Sequence, residues 1–300
     1  MFQYTLQVIT HKDIPSWVSI LNYNRVSNKF PTEKPKILNI DFTNTHDIKP
    51  YHIVSLACLI EEYFQEGVQI KFAQMEREND AVTYLRKLGF FQYWTPGFDR
   101  KKFNVCDDRT SFCLWQLDDE MLYPYVSNAQ AYFQRHFFVG KDLLPFNRAL
   151  VEAFHNVIDH SKSMVSGYVF TQFFPKRKQI IISLCDFGLG ISGTVNNYFS
   201  EKNQPILTSK DAMQWAFTER NTIGSKSNNG GLGLDIISTI TKSLRSSLVV
   251  ISNDVVFDQQ IDGTITYKDI PDAFPGTQVV VTLNTQNLNH LVSDEHNIFY

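Results

Sequence analysis

The sequence predicts a protein of the α/β and α+β classes, with an N-terminal α/β unit followed by a second unit of strands and helices. Residues 36–98 alternate between short apolar runs typical of strands and longer segments with helical spacing. Beyond residue 125 an amphipathic helix, an apolar strand, a glycine-rich turn with another helix and a final strand follow in order. Both regions therefore combine strands with helices.

Composition limits the class of protein before any motif is considered. The 300 residues are 43% hydrophobic and 14% aromatic, which is enough for full cores, and the net charge of −3 is too small for a general nucleic-acid binder. The longest apolar run, 53–60, is too short to span a bilayer, and the N-terminus lacks the pattern of a signal peptide. The four cysteines form no C-x-x-C pair. We expect a reduced, cytoplasmic protein without a membrane partner.

The N-terminal unit is predicted to contain a parallel sheet. Strands are expected at 36–42 and 68–72, a helix from Pro50 to Gly67, and a second helix capped by Asn79 or Asp80. Short connections between strand, helix and strand favour right-handed crossovers. The buried stripe of the first helix is predicted to comprise Ile53, Leu56, Ala57, Ile60 and Phe64.

A connector is predicted at residues 106–124, because charged and aromatic residues are mixed there without a clear period. Some strand character is expected at 111–117, and a helix is expected at 129–138. The connector therefore leads into the second unit.

The helix around residues 152–160 carries three polar side chains on one face. Glu152, Asn156 and His160 are four residues apart, so about 40° separates each from the next around the helix. The carbonyl oxygen of Asn156 suits Mg²⁺, and Glu152 could activate a water molecule. Such a face is commonly only solvated, and His160 is assigned a structural role.

An acid and two glycines follow the apolar strand at 179–186. A carboxylate at a strand end, Asp186, can accept a hydrogen bond from an exocyclic amine while bare backbone lets a flat base approach. The sequence 188–193 also satisfies G-x-G-x-x-G, which a Rossmann dinucleotide site would need. Against that alternative, Asp186 precedes the glycines and residues 196–210 are polar and predicted to be irregular. No P-loop is present, since the closest stretch, 224–227, lacks both the upstream glycine and the adjacent Gly-Lys pair.

Two more glycine-containing turns complete the pattern. The turn at 228–234 runs into an amphipathic helix, whose free N–H groups and positive dipole end suit phosphates. Pro275-Gly276-Thr277 stands immediately before the last apolar strand, 278–283. Each of these signals is weak alone, and their order is what makes them specific.

In that order and spacing, residues 125–290 resemble the GHKL (Bergerat-fold) ATPase superfamily, and the stretch 152–160 is similar to the form found in anti-sigma-factor serine kinases. The resemblance implies an α/β sandwich with a mixed sheet, ATP and Mg²⁺ as cofactors, and a C-terminal tail at 291–300. It further implies an ATP lid at 192–229 with one helix at 210–217. Arg220 and Lys226 are candidates for contact with the γ-phosphate.

The resemblance also implies roles for individual residues. Asp186 would read the adenine amino group with help from Thr277, Asn156 would hold Mg²⁺, and Glu152 would be the general base. The other nucleotide-binding positions that it implies are Gly188, Gly190, Ile191, Gly231, Leu232, Gly233 and Leu234.

The stretch 41–56 resembles the central segment of STAS-like domains, those of anti-sigma-factor antagonists, and 85–90 matches the end of a later helix in that family. The resemblance implies a STAS-like domain at residues 1–105. Pro50 and Tyr51 stand where phosphorylated members carry a serine pair. Phosphorylation at that point is therefore not expected, and a docking or structural role is.

Two functional classes remain open. No histidine is followed by glutamate, which argues against a histidine kinase, and the sequence stops at Tyr300, where a topoisomerase would continue. The first hypothesis is an enzyme, either a slow ATPase or a protein serine kinase. The second is a non-catalytic module in which ATP closes the lid and controls a regulatory protein partner. A homodimer is compatible with both, and a degenerate fold that binds nothing is a third reading.

Overall fold

Two sheets organise the chain in the computed structural model. One has three parallel strands and the other has five antiparallel strands. The structure describes residues 2–76, 79–100, 106–117, 119–161, 167–218 and 233–291.

The N-terminal sheet has the strand order β1-β2-β3, with both pairs parallel and in register. The predicted strands, helices and parallel pairing of this unit are confirmed, whereas β1 and α1 were not predicted. The strands are β1 Gln3–Gln7, β2 Ile37–Asp41 and β3 Gln69–Ala73, and the helices are α1 Ile14–Asn24, α2 Val26–Lys29, α3 Pro50–Gln65 and α4 Asp80–Lys87.

Local signals set the helix ends in this unit. Pro50 is the first residue of α3, where a missing N–H costs nothing. The side chain of Asn79 accepts a hydrogen bond from the backbone N–H of Val82 at 2.7 Å and caps α4. Gly89 follows α4 with a φ of 72°, a left-handed conformation that glycine adopts without strain.

The C-terminal sheet has the strand order β4-β5-β6-β8-β7, and every pair in it is antiparallel. The predicted mixed sheet is therefore wrong for the described strands. The strands β6 and β7, which helices connect, run in the same direction, but β8 lies between them. The strands are β4 Ser111–Gln116, β5 Tyr168–Phe174, β6 Gln179–Asp186, β7 Ser247–Gln259 and β8 Ile265–Asn284.

The same strand order argues against the Rossmann alternative, because a Rossmann site needs a parallel neighbour beside the strand that precedes its glycines. Both neighbours of β6 are antiparallel. The strand expected within the connector is β4, an edge strand of this sheet.

The helices of the second unit come between its strands in the sequence. The helix predicted at 129–138 begins earlier, and the one predicted at 210–217 is confirmed as α8. The irregular structure predicted from residue 196 is wrong as far as Glu201, because α7 continues to that residue. The helices are α5 Leu122–His136, α6 Leu144–Ser161, α7 Gly190–Glu201, α8 Ser209–Ala216 and α9 Gly233–Ser243.

Helix α3 packs against β3 of the first sheet and against β5 and β6 of the second. Every residue from His52 to Tyr63 is buried, so the helix has no solvated face over that length. The predicted single stripe is therefore incomplete, since the second sheet covers the other face. Phe64 is the exception within the stripe: it is 41% exposed, and the guanidinium of Arg100 lies 4.5 Å from its ring centroid.

A polar cluster holds this interface together. Glu61 of α3 is 2% exposed, and Arg100 binds both of its carboxylate oxygens at 3.2 and 2.9 Å. The hydroxyl of Tyr168 on β5 and the indole N–H of Trp94 donate to the same carboxylate at 2.8 and 3.2 Å. Buried charges need such partners, because their desolvation is costly.

His52, at the start of α3, is buried in its neutral form. Its Nδ1 accepts a hydrogen bond from the backbone N–H of Lys49 at 3.0 Å, and its Nε2 faces the carbonyl oxygen of His11 at 2.8 Å. Because Nδ1 is an acceptor, Nε2 carries the proton and donates it. Burial lowers the pKa of His52 from 6.5 to about 4.

The depressed pKa of His52 predicts acid-sensitive stability. The unfolded chain binds a proton below pH 6.5 that the folded chain takes up only near pH 4. Stability is therefore retained above pH 6.5, and about 3 kcal/mol of it is lost as the pH falls to 4. Urea unfolding across this range should show that loss in the wild type, a weaker dependence in His52→Gln, and the wild-type dependence in the exposed control His46→Gln. An unchanged pH dependence in His52→Gln would contradict this assignment.

Among the described helices, none has both the length and the apolarity needed to cross a bilayer. All four cysteines are buried free thiols, as was expected for Cys58 and Cys185.

Candidate functional site

The carboxyl group of Asp186 lies at the end of β6, buried and with one oxygen unused. Its residue is 1% exposed, and Oδ1 has no hydrogen-bond partner among the described residues. Burial raises the pKa of Asp186 to about 8, and the backbone N–H groups of Gly188 and Thr277 partly oppose that rise. A buried acceptor without a donor is costly, so this oxygen is suited to a ligand that donates a hydrogen bond.

Gly276 lets β8 approach this strand end closely. Its φ is 153°, and an added Cβ would lie 2.2 Å from the carbonyl oxygen of Asp186 and 2.6 Å from the backbone nitrogen of Gly188. Any side chain would therefore displace backbone that surrounds the carboxyl group. Thr277 pairs with Asp186 in the β6/β8 ladder and is 6% exposed. The structure thus brings Asp186, Gly188 and Thr277 together, as the sequence predicted.

Ser252 and Asn253 on β7 hold the loop after Asp186, and neither was predicted. The hydroxyl of Ser252 accepts from the N–H of Ile191 at 2.8 Å and donates to the carbonyl oxygen of Gly276 at 2.8 Å. Asn253 accepts from the N–H of Ser192 at 3.0 Å. The signal in the sequence was a polar break within an otherwise apolar strand.

The opposite side of the site is built by α6 and α9. Asn156 donates from Nδ2 to the carbonyl oxygen of Glu152 at 2.7 Å, and both residues are half-buried. A Cβ on Gly233 would lie 2.6 Å from that same Nδ2, so the start of α9 touches Asn156. Leu234 is buried behind it. The residue predicted to hold Mg²⁺ and the helix predicted to face phosphates are therefore adjacent.

Glu152 has a carboxyl group with altered acidity. Burial raises its pKa, and the neighbouring His155 partly opposes that effect. A carboxyl whose pKa moves toward neutrality is a better proton acceptor than an ordinary surface glutamate.

Backbone packing links these two sides. The ideal Cβ position of Gly167 is 2.7 Å from the carbonyl oxygen of Cys185 and 3.2 Å from Cγ1 of Val157. Val157 follows Asn156, and Cys185 precedes Asp186, so α6 lies close to the end of β6. The thiol of Cys58 on α3 donates to the carbonyl oxygen of Cys185 at 3.2 Å, so the end of β6 is also close to α3.

Several predicted positions lie outside the described residues. These are Gly231 and Leu232 of the glycine-rich turn, the candidate cations Arg220 and Lys226, and the side chain of His160. The described part of the chain contains no cluster of three or more histidine, cysteine or acidic residues that could hold a metal. Asn156 alone can supply one oxygen ligand, which suits Mg²⁺ because that ion keeps waters and substrate phosphates as its other ligands.

The geometry thus provides a buried acceptor at one end and a helix N-terminus with an amide side chain at the other. Comparison with known proteins does not assign the chain to a family: no family model matches it, and no curated protein matches it.

Proposed function

We propose that this chain binds Mg-ATP as a GHKL-type protein and acts as a slow ATPase or a protein serine kinase. The observation that carries the proposal is the buried carboxyl of Asp186, whose Oδ1 has no partner among the described residues. An adenine amino group would donate to this oxygen and remove the cost of leaving it unpaired, which is about 1–3 kcal/mol.

In its carboxylate form, which an adenine amino group stabilises by donating to it, the same group would reject guanine. Guanine carries a carbonyl oxygen where adenine carries the amino group, so two acceptors would face each other. A buried site that hydrogen-bonds a substrate group discriminates strongly against a ligand lacking that donor. Adenine selectivity is therefore the chemical signature that this function requires.

The phosphate end of the proposed site lies at the start of α9. Gly233 brings this helix against Asn156, and a helix N-terminus attracts anions through its free N–H groups and dipole. Asn156 would supply an oxygen to Mg²⁺, which when bound neutralises charge on the phosphates. Glu152, one turn earlier on α6, would accept a proton from the attacking water or from a serine hydroxyl.

A second candidate is the ATP-gated interaction module. It is favoured by contacts that join the site to the N-terminal unit. Gln278, next to Thr277, donates from Nε2 to the carbonyl oxygen of Tyr51 at 2.6 Å. The guanidinium of Arg25 lies 5.3 Å from the ring centroid of Phe187, the residue after Asp186. Nucleotide binding could therefore bias a surface of that unit toward a regulatory protein partner.

Thermal unfolding with nucleotides tests the proposal. Mg-ATP at one hundred times its Kd should stabilise the protein by about 2.7 kcal/mol and raise Tm by about 4 °C. Mg-GTP at the same concentration should leave Tm unchanged. No shift with Mg-ATP, or an equal shift with both nucleotides, would refute an adenine site at Asp186.

Turnover separates the two candidates. Phosphate release by the wild type and its loss in Glu152→Gln, with ATP binding intact, would support hydrolysis. Binding without phosphate release, and without transfer to serine peptides or co-purified protein, would favour the gated module.

A further inference from the structure

We infer that Ser252 and Asn253 are positioning residues of the adenine site: they clamp the loop 188–192 and the segment of β8 at Gly276 into the shape that a nucleotide needs. This inference rests on the proposed function and adds two residues to it. Neither belongs to any of the four motifs that suggested ATP binding.

The hydroxyl of Ser252 joins two separate segments. It accepts from Ile191 at the start of α7 and donates to the carbonyl oxygen of Gly276, both at 2.8 Å. The hydroxyl of Thr277 lies 3.2 Å away. Ser252 is 1% exposed, so water cannot readily replace its hydroxyl if the side chain is shortened. One buried oxygen thus fixes the separation between the loop and β8.

Asn253 completes the clamp by capping α7 from another strand. Its Oδ1 accepts from the N–H of Ser192 at 3.0 Å, and its Nδ2 donates to the carbonyl oxygen of Leu189 at 3.2 Å. The N-cap residue of α7, Leu189, makes no side-chain hydrogen bond of its own. A bulge in β7 and a φ of 52° at Asn253 direct this side chain toward the loop. Asparagine tolerates that left-handed conformation better than most residues.

Gly190 shows how tightly the clamp fits. Its φ is 71°, and a Cβ there would lie 2.4 Å from Oδ1 of Asn253. The N–H groups of Ile191 and Ser192 are both consumed by β7. They are therefore not free for phosphates, so the loop serves the base end of the site and not the phosphate end.

The clamp reaches Asp186 through backbone. Gly276, whose carbonyl oxygen Ser252 holds, packs against the carbonyl oxygen of Asp186 and the nitrogen of Gly188. The N–H of Gly188 faces the Asp186 carboxyl and lowers its pKa. Loosening the clamp should withdraw this N–H and so change the acidity of Asp186 as well as the fit of the base.

The test compares Ser252→Ala and Asn253→Gly with the wild type and with Ser243→Ala, an exposed serine at the end of α9. Glycine keeps the left-handed backbone at 253 without strain, so only the cap is lost. Calorimetry should show Mg-ATP binding weakened about tenfold in each clamp variant, since one buried hydrogen bond contributes about that factor. In Ser252→Ala the midpoint of the pH profile of affinity should also move upward, which a merely structural defect would not produce.

Amide hydrogen exchange provides the second measurement. The amide of Ile191 should lose protection in Ser252→Ala, and that of Ser192 in Asn253→Gly, while the amides of β5 keep theirs. If the wild type binds Mg-ATP and both variants bind it equally well, the clamp inference is overturned and the proposed function stands. If the wild type binds no Mg-ATP, the proposed function fails, and hydrogen exchange alone then tests the clamp. Unchanged protection of the Ile191 and Ser192 amides in the variants would overturn the clamp, and a local loss of protection would support it.

Discussion

Asp186→Asn is expected to abolish Mg-ATP binding and, at the same time, to stabilise the nucleotide-free protein at neutral and alkaline pH. The backbone N–H groups of Gly188 and Thr277 would hold the amide oxygen of the new side chain, so its amide nitrogen, a donor, would face the donating amino group of adenine. The wild-type carboxyl has a folded pKa of about 8, against an ordinary value of 3.8. Its stabilising contribution is complete below pH 3.8 and is lost as the pH rises toward 8.

The size of that loss sets the expected gain. At pH 7 the unfolded chain ionises this carboxyl group while the folded protein keeps it protonated, a difference of up to about 4 kcal/mol, and asparagine does not ionise. Urea unfolding at pH 5, 7 and 9 should therefore show the variant gaining stability over the wild type as the pH rises. Asp41→Asn provides the control, since Asp41 is also buried at a strand end but accepts hydrogen bonds from Thr43. If Asp186→Asn still binds ATP, the carboxyl group of Asp186 does not bind the nucleotide, and this prediction is wrong.

Glu61→Ala is expected to cost about 3–5 kcal/mol of unfolding free energy, because the charge of Arg100, whose side chain is only 17% exposed, loses its partner. The hydroxyl of Tyr168 would lose its acceptor at the same time. Glu66→Ala is the matched control, since Glu66 pairs with Lys34 at the surface, and we expect a loss of less than about 1 kcal/mol there.

Urea denaturation measures both changes, and a paired replacement identifies the cause. Glu61→Leu combined with Arg100→Met removes both charges and should recover most of the stability that Glu61→Ala loses. Equal, small losses for Glu61→Ala and Glu66→Ala would mean that the buried pair contributes little. Failure of the double variant to recover stability would place the cost in packing instead of charge.

The sequence predicted the local structure of the N-terminal unit well, because its signals are local. Pro50, Asn79 and Gly89 begin, cap and end helices through their own backbone and side-chain chemistry. The sheet of the second unit was predicted incorrectly, because insertion of β8 between β6 and β7 is a non-local event that no periodicity encodes. The second buried face of α3 was missed for a related reason, since it packs on strands β5 and β6 more than one hundred residues away.

The residues of the candidate site also divide into those that local signals predicted and those that only the fold brings together. Asp186, Gly276 and Thr277 were predictable because an acid at a strand end and a glycine beside an apolar run are visible in the residues themselves, although β8 begins at Ile265 and not, as predicted, after Thr277. Ser252 and Asn253 were missed because their partners are backbone groups about 60 residues earlier, and a side chain that binds backbone leaves no matching residue to find. Gly231, Leu232 and the side chain of His160 remain predictions.

The placement of α3 between the two sheets has a consequence for regulation. A helix buried from both sides belongs to two hydrophobic cores at once, so the two halves of the chain should unfold as one cooperative system. The N-terminal half then stays packed against the five-stranded sheet and does not separate from it while the protein is folded. Coupling between Asp186 and a partner bound to the N-terminal half would therefore involve small displacements through contacts such as the hydrogen bond between Gln278 and Tyr51. Separation of the two halves would instead expose the shared hydrophobic core.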